Sequence, residues 1–125
     1  MPKLSIHLLT YNGLKYLPYS LPSLVDQTFQ DFSVLIIDNA SIDATSYFIK
    51  QYLANPANIY LNKKTKFVAN AKNIGFAGGH NQALHWTKSE FVLLMNQDIV
   101  MAPDYLKFLV EFLEKISDCA AATGK

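Results

Sequence analysis

No arginine occurs in the 125 residues, and all 11 cationic side chains are lysines. Any phosphate this chain meets must be held by lysine, by backbone N–H groups or by a metal ion, because no guanidinium fork is available. A single cysteine, Cys119, excludes an internal disulfide framework and fits a reducing compartment. It reads as a small core residue rather than a nucleophile. Charge is scarce: 17% of residues carry it, and the formal net charge is +1. With no dense basic run, nucleic acid is not an expected partner. No apolar run approaches the roughly 20 residues that span a bilayer, and the N-terminus lacks a signal-peptide core. A soluble, cytoplasmic chain is the expectation. Two phosphate-binding signatures are also missing. Thr10-Tyr11-Asn12-Gly13-Leu14 stands where a dinucleotide fold would carry Gly-x-Gly-x-x-Gly, and no Gly-x-x-x-x-Gly-Lys-Ser/Thr occurs.

Half of the residues are apolar, which excludes a disordered chain and suffices for one compact domain with a real core. Leu4 to Thr10 and Phe32 to Ile37 read as strands, and the unbroken apolar run Phe91 to Met95 as a buried one. Leu14, Leu17, Leu21, Leu24 and Val25 recur at helical spacing, although Pro18 and Pro22 predict irregular opening turns. Ser41 is the expected N-cap of a helix reaching about Leu53, with Asp43 in its first turn. Ile59-Tyr60-Leu61 and Phe67-Val68-Ala69 are candidate strands, with Lys63 to Lys66 a solvated turn between them. Gly78-Gly79 leads into a short helix ending near Trp86. After Pro103 the stripe Leu106, Leu109, Val110, Leu113 predicts another helix, and Cys119 to Thr123 begins a further strand. Strand and helix alternating in this way predict an α/β fold with a doubly wound, mainly parallel sheet. The stop at Gly124-Lys125, as a strand is forming, suggests a truncated chain whose open edge promotes homo-oligomer formation.

The chemistry gathers at strand ends. Asn96 and Asp98 lie two apart at the end of an apolar strand, so both side chains point the same way. An Asx pair of this kind suits a hard divalent cation, with substrate phosphate and water completing the shell. The second strand ends similarly, in Asp38-Asn39-Ala40-Ser41, and the first in Thr10-Tyr11-Asn12. In an open α/β sheet, ligands bind beyond the carboxyl ends of the strands. A fourth cluster, Asn73-Ile-Gly75-Phe-Ala-Gly-Gly79-His-Asn81, opens a helix, where glycine lets backbone N–H groups approach an anion. The remaining polar residues have plainer readings. His7 packs inside a strand, and His80 with His85 makes a poor zinc site for want of a nearby acid. Trp86 and the phenylalanines are core. Lys63, Lys64 and Lys66 form a solvated face, with contact to an anionic membrane surface as the minority reading.

In order and spacing, these four clusters resemble the nucleotide-sugar-binding half of inverting glycosyltransferases of family two, which have the GT-A fold. The resemblance covers nearly the whole chain and is closest to the rhamnosyltransferase-like branch, where Asn-x-Asp replaces the usual Asp-x-Asp. It implies that Thr10, Tyr11 and Asn12 line the nucleobase and ribose pocket, with Tyr11 stacking, and that Asp38 accepts a hydrogen bond from a pyrimidine N–H. It further implies that Asn73, Gly75 and Asn81 border the nucleotide and sugar and that Lys72 reaches a phosphate. Asp98 would hold Mg²⁺ or Mn²⁺ on the diphosphate, with Asn96 and Gln97 near the ribose or the metal. The implied donor is a nucleoside-diphosphate sugar, dTDP-rhamnose or a UDP-sugar. The implied acceptor is a glycan or a lipid-linked group at the inner face of a membrane, in the building of a cell-surface polysaccharide. The family's catalytic base is an acidic residue in the half following the Asn-x-Asp strand, so residues 1–125 are expected to supply donor binding and no base. The alternative is a non-catalytic nucleotide-binding or interaction module of the same fold.

Overall fold

In the computed structural model, which describes residues 1–124, the apolar run Leu4–Thr10 is β1, one of two inner strands. Phe32–Asp38 forms β2, Thr65–Ala69 β3 and Phe91–Asn96 β4. All pairings are parallel and the order is β3-β2-β1-β4, with Leu4 opposite both Phe32 and Phe91. Parallel pairing puts every carboxyl end on one edge of the sheet. For that reason clusters far apart in sequence meet in space.

Side chains alternate between the two faces. Leu4, Ile6 and Leu8 of β1, Val34 and Ile36 of β2 and Met95 of β4 are buried on one face, beneath four helices. These are α1 (Leu17–Val25), α2 (Thr45–Ala54), the short α3 (Ile59–Lys63) and α5 (Tyr105–Lys115), numbered with α4 (Gly75–His85) between the last two. Helix α4 alone covers the other face, with Ala83 on Leu35 and Ile37. It leaves the outer strand bare on that side: Leu94 is 54% exposed and Val92 38%.

Several expectations are corrected. Ile59-Tyr60-Leu61 is helix α3, because Pro56 and the Asn55 side chain, which accepts from Ala57 N–H at 3.0 Å, start a 3₁₀ turn that runs into it. A three-residue apolar run is ambiguous between the two periods. Lys66, expected in a turn, lies within β3. Residues 14–16 form a turn, as the prolines predict, and helix α1 begins at Leu17, with Pro18 in its first turn, where no N–H is needed, and Pro22 within it. Helix α2 starts at Thr45, whose N–H is taken by Asp43 Oδ1 at 2.9 Å, so Ser41 is not its cap. Helix α4 starts at Gly75 rather than after Gly78-Gly79, and residues 119–123 form no strand. Trp86, Phe76 and Phe108 are exposed rather than core.

Candidate functional site

A cleft of about 410 Å³ opens at the carboxyl edge of the sheet, between the ends of β1 and β4 and the start of α4. It is lined by the ends of three strands and by Asn73, Gly75 and Phe76 at the mouth of α4. Among the described residues Asp98 is the one charged side chain on its wall, and no lysine or histidine lines it. Three aromatic rings, Tyr11, Tyr16 and Phe76, stand at the rim, each substantially exposed and so available for stacking on a planar group.

One side of the cleft is stitched by Gln97. Its Oε1 accepts from Thr10 Oγ1 at 2.6 Å and from Tyr11 N–H at 3.1 Å, while its Nε2 donates to the Tyr11 carbonyl at 3.3 Å. Both ends of this amide are used inside the chain, so Gln97 acts here by joining the end of β4 to the end of β1. Gly13 makes the joint possible. A Cβ there would collide with Thr10 Oγ1 and Gln97 Oε1. Gly13→Ala is therefore expected to destabilise the fold by about 1–3 kcal/mol through overpacking, read as a lower denaturant midpoint at unchanged slope. Wild-type stability in this variant would contradict the joint.

The end of β2 forms a second knot. Asp38, 2% exposed, accepts from Ser41 N–H at 3.2 Å and from the Ser41 hydroxyl. Asn12, in the left-handed region at φ 48°, donates its N–H to Ser41 Oγ at 2.9 Å and accepts from Ile42 N–H through Oδ1 at 3.0 Å. Asn39 is 3% exposed and faces the cleft. Its Nδ2 donates to the Gly75 carbonyl at 3.0 Å and its Oδ1 accepts from Ile74 N–H at 2.9 Å, which fixes the entrance of α4 against the sheet. Asn73 completes that entrance, accepting from Gly75 N–H at 2.8 Å in an Asx turn. Gly75 has φ 81° with open space around it, so glycine is required there by conformation rather than by room. Ala40 also sits at φ 65°, an unfavourable backbone region for alanine, held between these hydrogen-bonded neighbours.

Asn96 and Asp98 end on the α4 side of the sheet, both exposed in the cleft wall, and neither side chain has a hydrogen-bond partner among the described residues. No group of three or more His, Cys, Asp or Glu side chains that could hold a metal forms among those residues. A dedicated all-protein cage is thus not what this cleft offers. One free carboxylate beside an amide oxygen does fit a Mg²⁺- or Mn²⁺-like ion that takes its other ligands from substrate phosphate and water.

Of the site residues read from the sequence, the fold gathers Thr10, Tyr11, Asn73, Gly75, Asn96, Gln97 and Asp98 on this one cleft. Asp38 and Asn12 support it from behind, through Ser41. Lys72 and Asn81 are exposed and do not line it. Sequence reasoning passed over Asn39, Tyr16 and Phe76. Asn39 was at least signalled by its place in a strand-end Asx cluster.

Beside the cleft, α4 presses His80 against the sheet. Its ring is 5% exposed, both nitrogens lack partners, and Phe76 meets it edge-on at 4.5 Å. His7 lies on the same face. The Thr87 hydroxyl gives its proton to the Ala83 carbonyl at 2.9 Å, so His7 Nε2–H donates to Thr87 Oγ1 at 2.6 Å and Nδ1 is left unpaired. Burial lowers the pKa of both rings, and for His7 the neighbouring His80 lowers it further. A depressed histidine pKa means that the unfolded chain binds protons first as the pH falls. Stability is full above the ordinary value of 6.5 and is lost as the pH drops below it toward the folded values. The melting temperature is expected to fall with acid in that window, and His80→Leu to flatten the fall. An unchanged pH profile in the variant would remove His80 from the account.

Comparison with known proteins identifies the family and the fold. An uncharacterized glycosyltransferase of Haemophilus influenzae is 26% identical over 123 residues, covering 98% of this chain and 36% of the relative. The poly(ribitol-phosphate) beta-N-acetylglucosaminyltransferase TarS of Staphylococcus aureus is 31% identical over 117 residues, 92% of this chain and 19% of its own. The chain thus spans well under half the length of these relatives. The structure of S. aureus TarS 1–349 in complex with UDP-GlcNAc superposes with a TM-score of 0.79 at 26% identity, over 98% of this chain and 37% of that one. A mannosyltransferase from Pyrobaculum calidifontis, solved with GDP-Man and Mn²⁺, shares the fold: TM-score 0.80 at 23% identity, over 90% of this chain and 32% of that one. The architecture is therefore the α/β arrangement of GT-A glycosyltransferases. The model of Glycosyl transferase family 2 matches residues 5–124, and the chain belongs to that family.

Proposed function

We propose that residues 1–125 are the donor-binding half of an inverting glycosyltransferase, holding a nucleoside-diphosphate sugar in the cleft at the carboxyl edge of the sheet. The observation that carries this reading is the charge of the cleft wall among the described residues: one carboxylate, Asp98, and no cation. A diphosphate placed there needs a positive partner, and Asp98 is positioned to hold a divalent ion against it. The amino end of α4, opened by Gly75, supplies backbone N–H groups on the same side. The ion would neutralise the charge developing on the departing nucleoside diphosphate. Tyr11, with Thr10 fixed behind it by Gln97, offers a face for the base. Asp38, committed to Ser41, contributes by shaping the turn that a pyrimidine would approach.

A pyrimidine donor is favoured by the resemblance to TarS with UDP-GlcNAc bound. Asn96 in place of an acid keeps the rhamnosyltransferase-like branch, and hence dTDP-rhamnose, in view. The general base that deprotonates a glycan or lipid-linked acceptor would come from the acceptor half, outside these residues. Work at the inner face of a membrane and self-association through the bare α4-side face of β4 belong to the same reading. None of the helices among the described residues is long and apolar enough to cross a membrane.

Calorimetric titration with UDP, dTDP, GDP and NAD, each with and without Mn²⁺, tests this. One pyrimidine diphosphate should bind, more tightly with metal. Preference for NAD, or metal-independent binding of every nucleotide, would overturn the reading.

A further inference from the structure

A second groove, of about 360 Å³, lies at the opposite edge of the sheet, where β1, β2 and β3 begin and α4 ends. Three lysines, Lys63, Lys64 and Lys66, line it, and no acidic side chain does. None of the three forms an ion pair among the described residues; the ion pairs found there belong to Lys3. The Lys64 ammonium is committed elsewhere: its Nζ donates to the Gln30 carbonyl at 2.7 Å and lies over the Phe32 ring at 4.2 Å from its centroid, with Asp31 near enough to act on its charge, so the charges free for a ligand are those of Lys63 and Lys66. Lys66 sits over the Trp86 ring at 4.5 Å from its centroid, a cation–π pair on the groove wall. Lys63 is exposed, with no partner among the hydrogen bonds, ion pairs and cation–π pairs of the described residues.

The floor is polar as well. Ser5 Oγ and Ser33 Oγ share one hydrogen bond of 3.1 Å, so one of their two hydroxyl protons remains for a ligand. The Thr65 and Thr87 protons, by contrast, are given to backbone carbonyls. Positive charges with a spare hydroxyl donor, in a concavity free of carboxylates, suit a compact anion with several oxygens. The volume also leaves room for an organic group against Trp86. In a chain whose formal net charge is +1, this concentration of charge is local rather than a general property of the surface.

We propose that this groove is a second binding site, taking a phosphoester at the amino edge of the sheet, on the far side from the donor cleft. The phosphoester is either free or the headgroup of an anionic lipid. The site does not depend on the donor reading, because it shares no residue with that cleft.

Trp86 is the only tryptophan in the chain, so its emission reports on the groove. The protein is titrated without divalent metal, using glycerol 3-phosphate in one arm. The other arm uses vesicles of phosphatidylglycerol in phosphatidylcholine, with phosphatidylcholine alone as reference. A saturable change in emission is expected in at least one arm. Response to glycerol 3-phosphate identifies a soluble phosphoester, and response to anionic vesicles alone identifies a lipid surface. In Lys63→Gln/Lys66→Gln, each spectrum measured against its own start, affinity should fall roughly tenfold or more. The charge-matched control Lys107→Gln/Lys115→Gln on α5 should bind as wild type, with circular dichroism unchanged in both. No saturable response in either arm, full binding by the groove variant, or an equal loss in the control would each overturn the site.

Discussion

Asp98→Ala is expected to remove the metal-dependent part of nucleoside-diphosphate binding, lowering affinity in the presence of Mn²⁺ by roughly tenfold to a hundredfold, a loss comparable to that from disturbing even the outer partners of a metal ligand. The reason is the poverty of the cleft. Asp98 is its sole charge among the described residues, and Asn96 offers only a neutral oxygen beside it. Nothing else on the wall could take over the ion. The fold should not respond, since the carboxylate is exposed and holds no other group among the described residues. The two readouts therefore separate: calorimetry with and without Mn²⁺ changes, and the urea midpoint stays. Equal metal enhancement in wild type and variant would show that the ion is held elsewhere or not held at all. Asn96→Asp should act in the opposite direction, tightening the metal by adding the second negative charge.

The second large effect is expected at a residue that carries no charge. Asn39→Ala strips the Ile74 N–H of its acceptor at a part-buried joint, leaving that N–H unsatisfied, and removes the side-chain donor to the Gly75 carbonyl, which keeps its partner within α4. Such a group costs about 1–3 kcal/mol when left without a substitute, so a loss of that order is expected in the denaturant midpoint. Function should fall as well. The entrance of α4 forms one wall of the cleft, and its N–H groups point usefully only while Asn39 holds the turn. Nucleotide affinity is expected to drop about tenfold, the equivalent of about 1.4 kcal/mol. Asn39→Asp keeps the acceptor for Ile74 but loses the donor to Gly75 and brings a carboxylate against its carbonyl. It should not rescue binding. A stable Asn39→Ala with wild-type affinity would show that the α4 entrance is set by other contacts.

Strands β1, β2 and β4 are legible in the sequence as unbroken apolar runs, a signal that survives without knowledge of their partners, although only β1 and β2 are buried on both faces and β4 is bare on its α4 side. Parallel pairing then followed from the alternation with helices, and the strand-end residues Thr10, Asn96 and Asp98 arrived where the pattern put them. What failed were short segments whose conformation depends on neighbours. Ile59-Tyr60-Leu61 carries an apolar triplet compatible with either period, and a proline turn three residues earlier decided it. Ser41 has the chemistry of a helix cap, yet Asp38 and the Asn12 N–H, 29 residues away in sequence, claim its hydroxyl and backbone. Gln97, expected near the ribose or the metal, lines the cleft, but with an internal task. Its amide is consumed by Thr10 and Tyr11, more than eighty residues distant along the chain, and no local pattern announces such a bond. Asn39 shows the same limit: its residue type suggested a polar site, but its task, fixing Ile74 and Gly75, is visible only in three dimensions. Exposed Trp86 and Phe76 mark where composition misleads, since large aromatic residues read as core by default and here stand at the two grooves.

Paramagnetic broadening by Mn²⁺ in the presence of UDP, read in an amide proton–nitrogen NMR spectrum, tests the donor cleft most directly. With a diphosphate-bound ion beside Asp98, the signals of Asp98, Gln97, Asn96, Tyr11 and Gly75 should vanish first at low Mn²⁺, and only when UDP is present. Broadening centred instead on the acidic residues of α5, Glu111 and Glu114, or independent of UDP, would contradict a metal–diphosphate site at the carboxyl edge of the sheet.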